Sequence, residues 1–257
     1  MTISDHAIIH PSAKLAKGVS IGPGTIIGAD VDIGEGTWVG PHVVIQGPTV
    51  IGKNNKIFQF ASVGDVPQDI TYDNEPTKLE IGDNNIIREF CMISRGTVKG
   101  GGSTSIGNNN FFMAYSHVGH DAKVGNHIVM VSYSAIAGHA VINDYVNIGA
   151  YAAVHQFCYV GAYAFIARAT YVTKDVLPYV MIAGHETTAC GINTVGLRRR
   201  GFSSEVIDCL RRAYKIVFRK GLTVQQAIVE LELLQSDCPE ILPMIDILNQ
   251  STRGIVR

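Results

Sequence analysis

A large apolar residue stands at every sixth position from Ile106 to Val172: Ile106, Phe112, Val118, Val124, Met130, Ile136, Ile142, Ile148, Val154, Val160, Ile166 and Val172, twelve in succession. With roughly one residue in three of this type, chance gives such a run about once in 10^5 or less, so the period has a physical cause. Six fits neither the 3.6-residue turn of a helix nor the alternation of a hairpin; it is the period of a parallel β-helix. Each hexad supplies a short strand and a corner with its apolar residue inward, and three hexads close an 18-residue triangular coil. The pattern already runs from Ile3 through Ile9, Leu15, Ile21, Ile27, Ile33, Val39, Ile45, Ile51 and Ile57 to Val63, with glycine following in Ile21-Gly22, Ile33-Gly34 and Ile51-Gly52. Glycine there relieves corner strain or leaves room for the next coil.

The hexads break over 64–80, resume at Ile81, Ile87 and Ile93, break again over 95–105 and return shifted by one residue at Ile106. Two loops are therefore expected to leave the prism. Extruded loops either decorate a surface or carry function, and the first holds Gln68-Asp69 beside a stiffening Pro67. After Val172 the period stops. Pro178, Gly184, Gly191 and Gly196 mark a connecting segment, and Ser203-Ser204-Glu205 opens a capped helix that ends at Gly221. A second helix runs from Thr223 to about Ser236 and a third from Pro239 to about Gln250. The expected organisation is a mainly β chain, with a parallel β-helix of hexapeptide repeats over 1–190 and a C-terminal α-helical domain over 191–257. The helices would cover the apolar end of the last coil.

At 257 residues and 46% hydrophobic, the chain can bury a long core. A net charge of -1 gives no general attraction to nucleic acid or membrane. Cys91, Cys158, Cys190, Cys209 and Cys238 show no paired spacing, which fits a reducing compartment. With no charged-then-apolar leader and no apolar run near ~18 residues, the expectation is a soluble cytoplasmic protein. Charge is uneven, however. Between Leu197 and Lys220, eight Arg and Lys residues face only Glu205 and Asp208. Such a patch is either a solvated helix face or a dock for an anionic partner. Nucleic acid is disfavoured, because only Tyr214 interleaves the cations.

Chemistry is sought among the nine histidines. His139 lies 19 residues after His120 and Gln156 lies 36 after it, so His120, Gly138-His139 and His155-Gln156 should line one edge of the prism on coils about 4.8 Å apart. Three readings stay open. The imidazoles are structural; or His117, His120 and His139 imitate a zinc site; or a neutral imidazole takes a proton from a hydroxyl or amine while a backbone N–H stabilises an oxyanion. Asp121, next to His120 in sequence, would help set its tautomer if the two side chains meet.

The motifs Gln59-Phe60-Ala61-Ser62-Val63-Gly64, Gln68-Asp69, Arg95-Gly96-Thr97-Val98, His117-Val118-Gly119-His120-Asp121, Ala137-Gly138-His139, His155-Gln156-Phe157-Cys158, Gly191-Ile192-Asn193, Arg199-Arg200-Gly201-Phe202 and Ser251-Thr252-Arg253-Gly254 follow in order along the whole chain. In this combination the sequence resembles the UDP-N-acetylglucosamine O-acyltransferases. The resemblance implies a left-handed β-helix, an exception to the usual right-handed crossover, and a homotrimer with active sites between neighbouring prisms. It implies transfer of a 3-hydroxyacyl group from acyl carrier protein to the 3-hydroxyl of UDP-N-acetylglucosamine, the first step of lipid A biosynthesis. His120 would be the general base and Gly138 the oxyanion donor. Gln68 and Asp69 would hold the sugar, while His117, His139, His155 and Gln156 fix sugar and pyrophosphate. Asn193, Arg199 and Arg200 would meet the nucleotide and the phosphopantetheine arm, and the basic tail would receive the acidic carrier protein. No metal or bound cofactor is implied.

Several positions depart from the family pattern. Thr71 stands where a lysine is typical, Val195 where a glutamate is, Ser94 where a histidine is common, and Gly184-His185-Glu186 replaces Gly-Asn-x. Arg168 occupies the place that ends the acyl pocket and is glycine in long-chain enzymes; its bulk should shorten the accepted chain. The variant readings are acylation of a 3-amino sugar, a short acyl group drawn from coenzyme A, and a paralogue that keeps the fold without turnover.

Overall fold

The computed structural model describes residues 2–257. Twenty-eight short strands form three sheets of eleven, nine and eight strands, the faces of a triangular prism. The first face begins with Thr2–Ile3, the second with Ile8–Ile9 and the third with Lys14–Leu15, and successive strands on each face pair in parallel. This is the left-handed parallel β-helix implied by the family resemblance. The hexad residues stack inward: Ile33, Ile45, Ile57, Ile87, Ile136, Ile148 and Ile166 are wholly inaccessible. Each such side chain contributes about 1.5–3 kcal/mol of burial, and no strand of two or three residues could persist without that column.

Pairing registers explain both sequence breaks. Normal neighbours such as Ile106 and Val124 are 18 apart, whereas Ile51 pairs with Ile81 and Ile81 with Ile106. The first separation is twelve residues longer than a coil, two whole hexads, so the sequence phase survives it. The second is seven longer, one more than a hexad, which produces the one-residue shift at Ile106. Strands reach into the first predicted loop from both sides and into the second from its C-terminal side, leaving 66–77 and 95–102 extruded. Both leave by the corner between the second and third faces.

Glycine after the inward residue serves close approach rather than backbone conformation. A Cβ on Gly22 would lie 2.6 Å from the Pro41 nitrogen, and one on Gly34 would lie 2.5 Å from the Gly52 carbonyl carbon. Many of the left-handed corner positions are held by aromatic residues whose rings stack from coil to coil. Phe60, Phe90, Tyr115, Tyr133 and Tyr151 form one ladder, with centroids 4.7 to 5.0 Å apart. The left-handed conformation costs about 1–2 kcal/mol per residue, and each stacked pair returns about 0.5–1.5, so repetition makes these corners nearly neutral.

Inside the corner between the third and first faces, polar side chains form a satisfied ladder. The Asn55 side chain accepts from the Asn85 N–H at 2.8 Å, Asn85 accepts from the Asn110 N–H at 2.9 Å, and Asn110 accepts from the Ile128 N–H at 2.7 Å. Their amides donate to the carbonyls of Gly82, Gly107 and Gly125.

The parallel coils end in an antiparallel hairpin, Val180–Ala183 with Thr188–Ile192, so the β region extends to Ile192, two residues past the expected boundary. A short helix α1 (Thr194–Arg199), capped by Asn193, occupies the segment read from sequence as a connection. Helices α2 (Ser204–Arg219), α3 (Val224–Gln235) and α4 (Leu242–Gln250) follow, with a 3-10 turn over Pro239–Ile241 preceding the last. They pack on the end of the prism, where Tyr214 donates to the Ala189 carbonyl at 2.7 Å and Tyr179 donates to Glu240 at 3.0 Å. The chain then returns to the prism, its Val256 N–H donating to Asp175 at 2.9 Å. Among the described residues no helix is long and apolar enough to cross a membrane.

Replacing Asn85 by Leu leaves the Asn110 N–H and the Gly107 carbonyl buried and unpaired. The expected loss is about 2–4 kcal/mol of unfolding free energy, read as a lower urea midpoint.

Candidate active site

Both extruded loops, and the turns at 119–122, 137–140 and 155–158, lie on successive coils of one corner. The sequence places nothing else so rich in titratable groups along a single edge. The adjoining second face carries outward residues in the paired order Met92, His117, Ala135, Ala153, Tyr171. Two alanines between larger neighbours make a groove. The resulting cleft, about 190 Å³, is lined by Gln68, Ser94, His117, His120, Gly138, His155, Gln156 and Tyr171 among others.

His120 is held in it by a carboxylate. Its Nδ1 lies 2.8 Å from Asp121 Oδ2, and the Asp121 side chain is wholly buried. A carboxylate there fixes the proton on Nδ1, so Nε2 is left as the acceptor. Asp121 is itself held by the second loop: Thr97 gives its N–H to Oδ1 at 2.8 Å and its hydroxyl to Oδ2 at 2.7 Å. Thr97 also caps the 3-10 turn Val98–Gly100, and Gly100 approaches so closely that a Cβ on it would lie 2.0 Å from Asp121 Cγ. The Thr97 contribution crosses 24 residues and was not visible in the sequence.

Gly138 sits directly against this imidazole. A Cβ there would fall 2.8 Å from His120 Nε2 and 2.7 Å from Cε1, so only glycine admits the ring. The Gly138 N–H has no acceptor among the described residues. An unoccupied amide beside a basic nitrogen is what an oxyanion and an attacking hydroxyl require together.

The other expected residues divide into two groups. Gln68 reaches the cleft with Nε2 2.9 Å from the Met92 sulfur. Asp69 is half-buried and accepts from the Thr71 N–H and hydroxyl, which hold its carboxyl below the usual carboxylate range, with His120 and Lys99 acting in the same direction. His117 is drawn below the ordinary histidine value by burial, and its Nδ1 has no partner. His139 stacks on Phe157 with centroids 4.4 Å apart and brings Nε2 to 3.8 Å from Asp121 Oδ2. His155 has Arg253 Nη2 3.4 Å from its Nδ1, a neighbour that sequence spacing did not suggest.

Asn193, Arg199, Arg200 and Arg168 do not join that cleft within one chain. Asn193 and Arg199 line a separate cavity of about 470 Å³ on the first face, with Phe165, Met181 and Val195. Arg200 covers the Tyr145 ring, its guanidinium carbon 4.5 Å from the centroid. Arg168 is exposed at the corner between the first and second faces. Among the described residues, the groups able to approach a common metal are His120, Asp121 and His139, within 4.8 Å of one another. That is a different set from the His117, His120 and His139 of the zinc reading.

A prism of stacked hexads that opens a carboxylate-oriented imidazole onto a groove defines the class, a hexapeptide-repeat acyltransferase. Comparison with known proteins narrows it. The family described as UDP N-acetylglucosamine O-acyltransferase, domain 2, matches residues 175–256. The acyl-[acyl-carrier-protein]--UDP-N-acetylglucosamine O-acyltransferase of Saccharophagus degradans is 53% identical over 251 residues, covering 98% of this chain and 97% of its own. Its counterpart in Pseudomonas entomophila is 50% identical over 256 residues, covering 100% and 99%. Among solved structures, LpxA from Acinetobacter baumannii matches with a TM-score of 0.98 at 48% identity, covering 100% of both chains. The UDP-N-acetylglucosamine acyltransferase of Francisella novicida matches at 0.97 and 46% identity, covering 100% of this chain and 94% of that one. The chain belongs to the UDP-N-acetylglucosamine O-acyltransferase family.

Asp121→Asn keeps the shape but frees the imidazole to take the wrong tautomer. Turnover should fall by roughly 10^2-fold or more with substrate KM little changed, as steady-state kinetics would show.

Proposed function

We propose that this enzyme moves a 3-hydroxyacyl group from acyl carrier protein to the 3-hydroxyl of UDP-N-acetylglucosamine, the first step of lipid A biosynthesis. The observation that carries the reading is the relay from Thr97 through Asp121 to His120, with the Gly138 N–H beside it. His120 Nε2 takes the proton of the sugar hydroxyl as the oxygen attacks the thioester carbonyl. The tetrahedral oxyanion accepts from the Gly138 N–H, an interaction worth about 3–4 kcal/mol where one such donor has been removed elsewhere. Collapse breaks the carbon–sulfur bond, and the imidazolium returns its proton to the leaving thiolate. The scheme uses no metal or bound cofactor.

The remaining contacts are assigned by position. Gln68, Asp69 and His117 hold the sugar, His139, His155 and Gln156 extend the site toward the pyrophosphate, and Asn193, Arg199 and Arg200 meet the nucleotide and the carrier's arm. These last three lie on another face of the same prism, and a cleft of about 190 Å³ falls below the ~300–1,000 Å³ of sites that enclose ligands of this size. Both facts support a homotrimer in which a neighbouring prism closes each site. Exposed Arg211, Arg212 and Lys215 on α2 supply the anionic-protein dock, and Arg168 limits the acyl chain from its corner.

Purified protein should consume 3-hydroxyacyl thioester on acyl carrier protein when UDP-N-acetylglucosamine is added, and His120→Ala should abolish this; substantial residual transfer would remove His120 from its role. Mixed assemblies of His120→Ala subunits with Arg199→Ala/Arg200→Ala subunits should regain activity that neither variant has alone, if sites are shared between copies. With donors of graded length, Arg168→Gly should shift preference to longer chains; an unchanged profile would overturn that assignment.

A further inference from the structure

We propose that Lys99, on the second loop, is the cation that receives the diphosphate of the sugar nucleotide at the mouth of the cleft. This rests on the acceptor substrate proposed above. A diphosphate brings about two negative charges, and such groups are recognised chiefly by fixed cations and oriented donors. The cleft lining contains amides, hydroxyls and imidazoles but neither Lys nor Arg. Two permanent cations stand near its lining residues: Arg253 against His155, and Lys99 against Thr71, whose hydroxyl is bound to Asp69, the residue after Gln68.

Lys99 is not a free surface lysine. Its Nζ donates to Thr71 Oγ1 at 2.8 Å, and that hydroxyl donates to Asp69 Oδ1 at 2.9 Å. On the other side its neighbour Gly100 is seated against Asp121, the carboxylate that orients His120. The ammonium is therefore held by Thr71, itself bound to the residue next to Gln68, while the backbone that carries it is seated against the residue that sets the base. It makes no ion pair within 4.0 Å among the described residues, so its charge is available to a ligand. Thr71, which from sequence alone leaves the first loop without its usual cation, marks the place that the Lys99 ammonium reaches from the second loop.

The competing role is mechanical, a clasp joining the two loops. The two roles separate in one set of variants, because a lysine at position 71 would carry its ammonium to the region the Lys99 Nζ now occupies. Lys99→Met should raise the KM for UDP-N-acetylglucosamine about tenfold with kcat within roughly threefold. It should weaken inhibition by UDP by the same factor while leaving inhibition by uridine unchanged. Thr71→Lys/Lys99→Met should recover most of the loss. An unaltered KM and UDP inhibition in Lys99→Met, an equal loss for UDP and uridine, or failure of the double variant to recover would each overturn the assignment. Calorimetric binding of UDP and uridine to wild type and Lys99→Met reads the same contrast without turnover. A wild type that binds UDP through Lys99 yet transfers no acyl group would defeat the proposed function alone.

Discussion

Everything in this molecule depends on the vertical registration of one coil upon the next. A strand of two residues has no stability of its own. It persists because its inward Ile or Val rests on the one below, while its amides bond to the coil above. Once registration is fixed, residues a coil apart in sequence become neighbours in space. The site uses this directly: His120, Gly138 and Gln156 come from three consecutive turns, and the imidazole fits only because Gly138 has no side chain.

The prism was legible because its constraint is periodic. A buried column needs the same residue type at a fixed spacing, and no other fold asks for it every six residues. The phase shift at Ile106 was legible for the same reason, and pairing now shows its cause in an insertion seven residues longer than a coil allows. The helices beyond Ser203 were readable from caps and apolar spacing, whereas α1 was hidden by its glycine and its short length. Of the two reasons the sequence offered for the corner glycines, strain or room for the next coil, the structure selects the second.

The site was legible in part. Stacking arithmetic brings His120, Gly138, His155 and Gln156 to one edge, and the structure gathers them in one cleft. Asp121 was an adjacency in sequence and is a hydrogen bond in space. What sequence could not reveal runs through the loops, where no period operates. Thr97 on Asp121, Arg253 on His155 and Lys99 on Thr71 join residues at separations unrelated to 18. The distance of Arg199 and Arg200 from His120 also shows that a linear list of matching motifs does not reveal whether one chain or two complete a site.

The insertion at 95–102 has a further implication. Both its ends are anchored to strands that pair regardless of what lies between them, so its length is nearly free as far as folding is concerned. Its length is not free for chemistry, since Thr97 must land on a buried carboxylate one turn above. Trimming a single residue would make the insertion a whole hexad, tidy to a reader of the sequence, and would carry the threonine off its seat while the rod stood unharmed. In scaffolds of this kind, gain or silencing of turnover is thus written in loop arithmetic, independently of the machinery that keeps the protein folded.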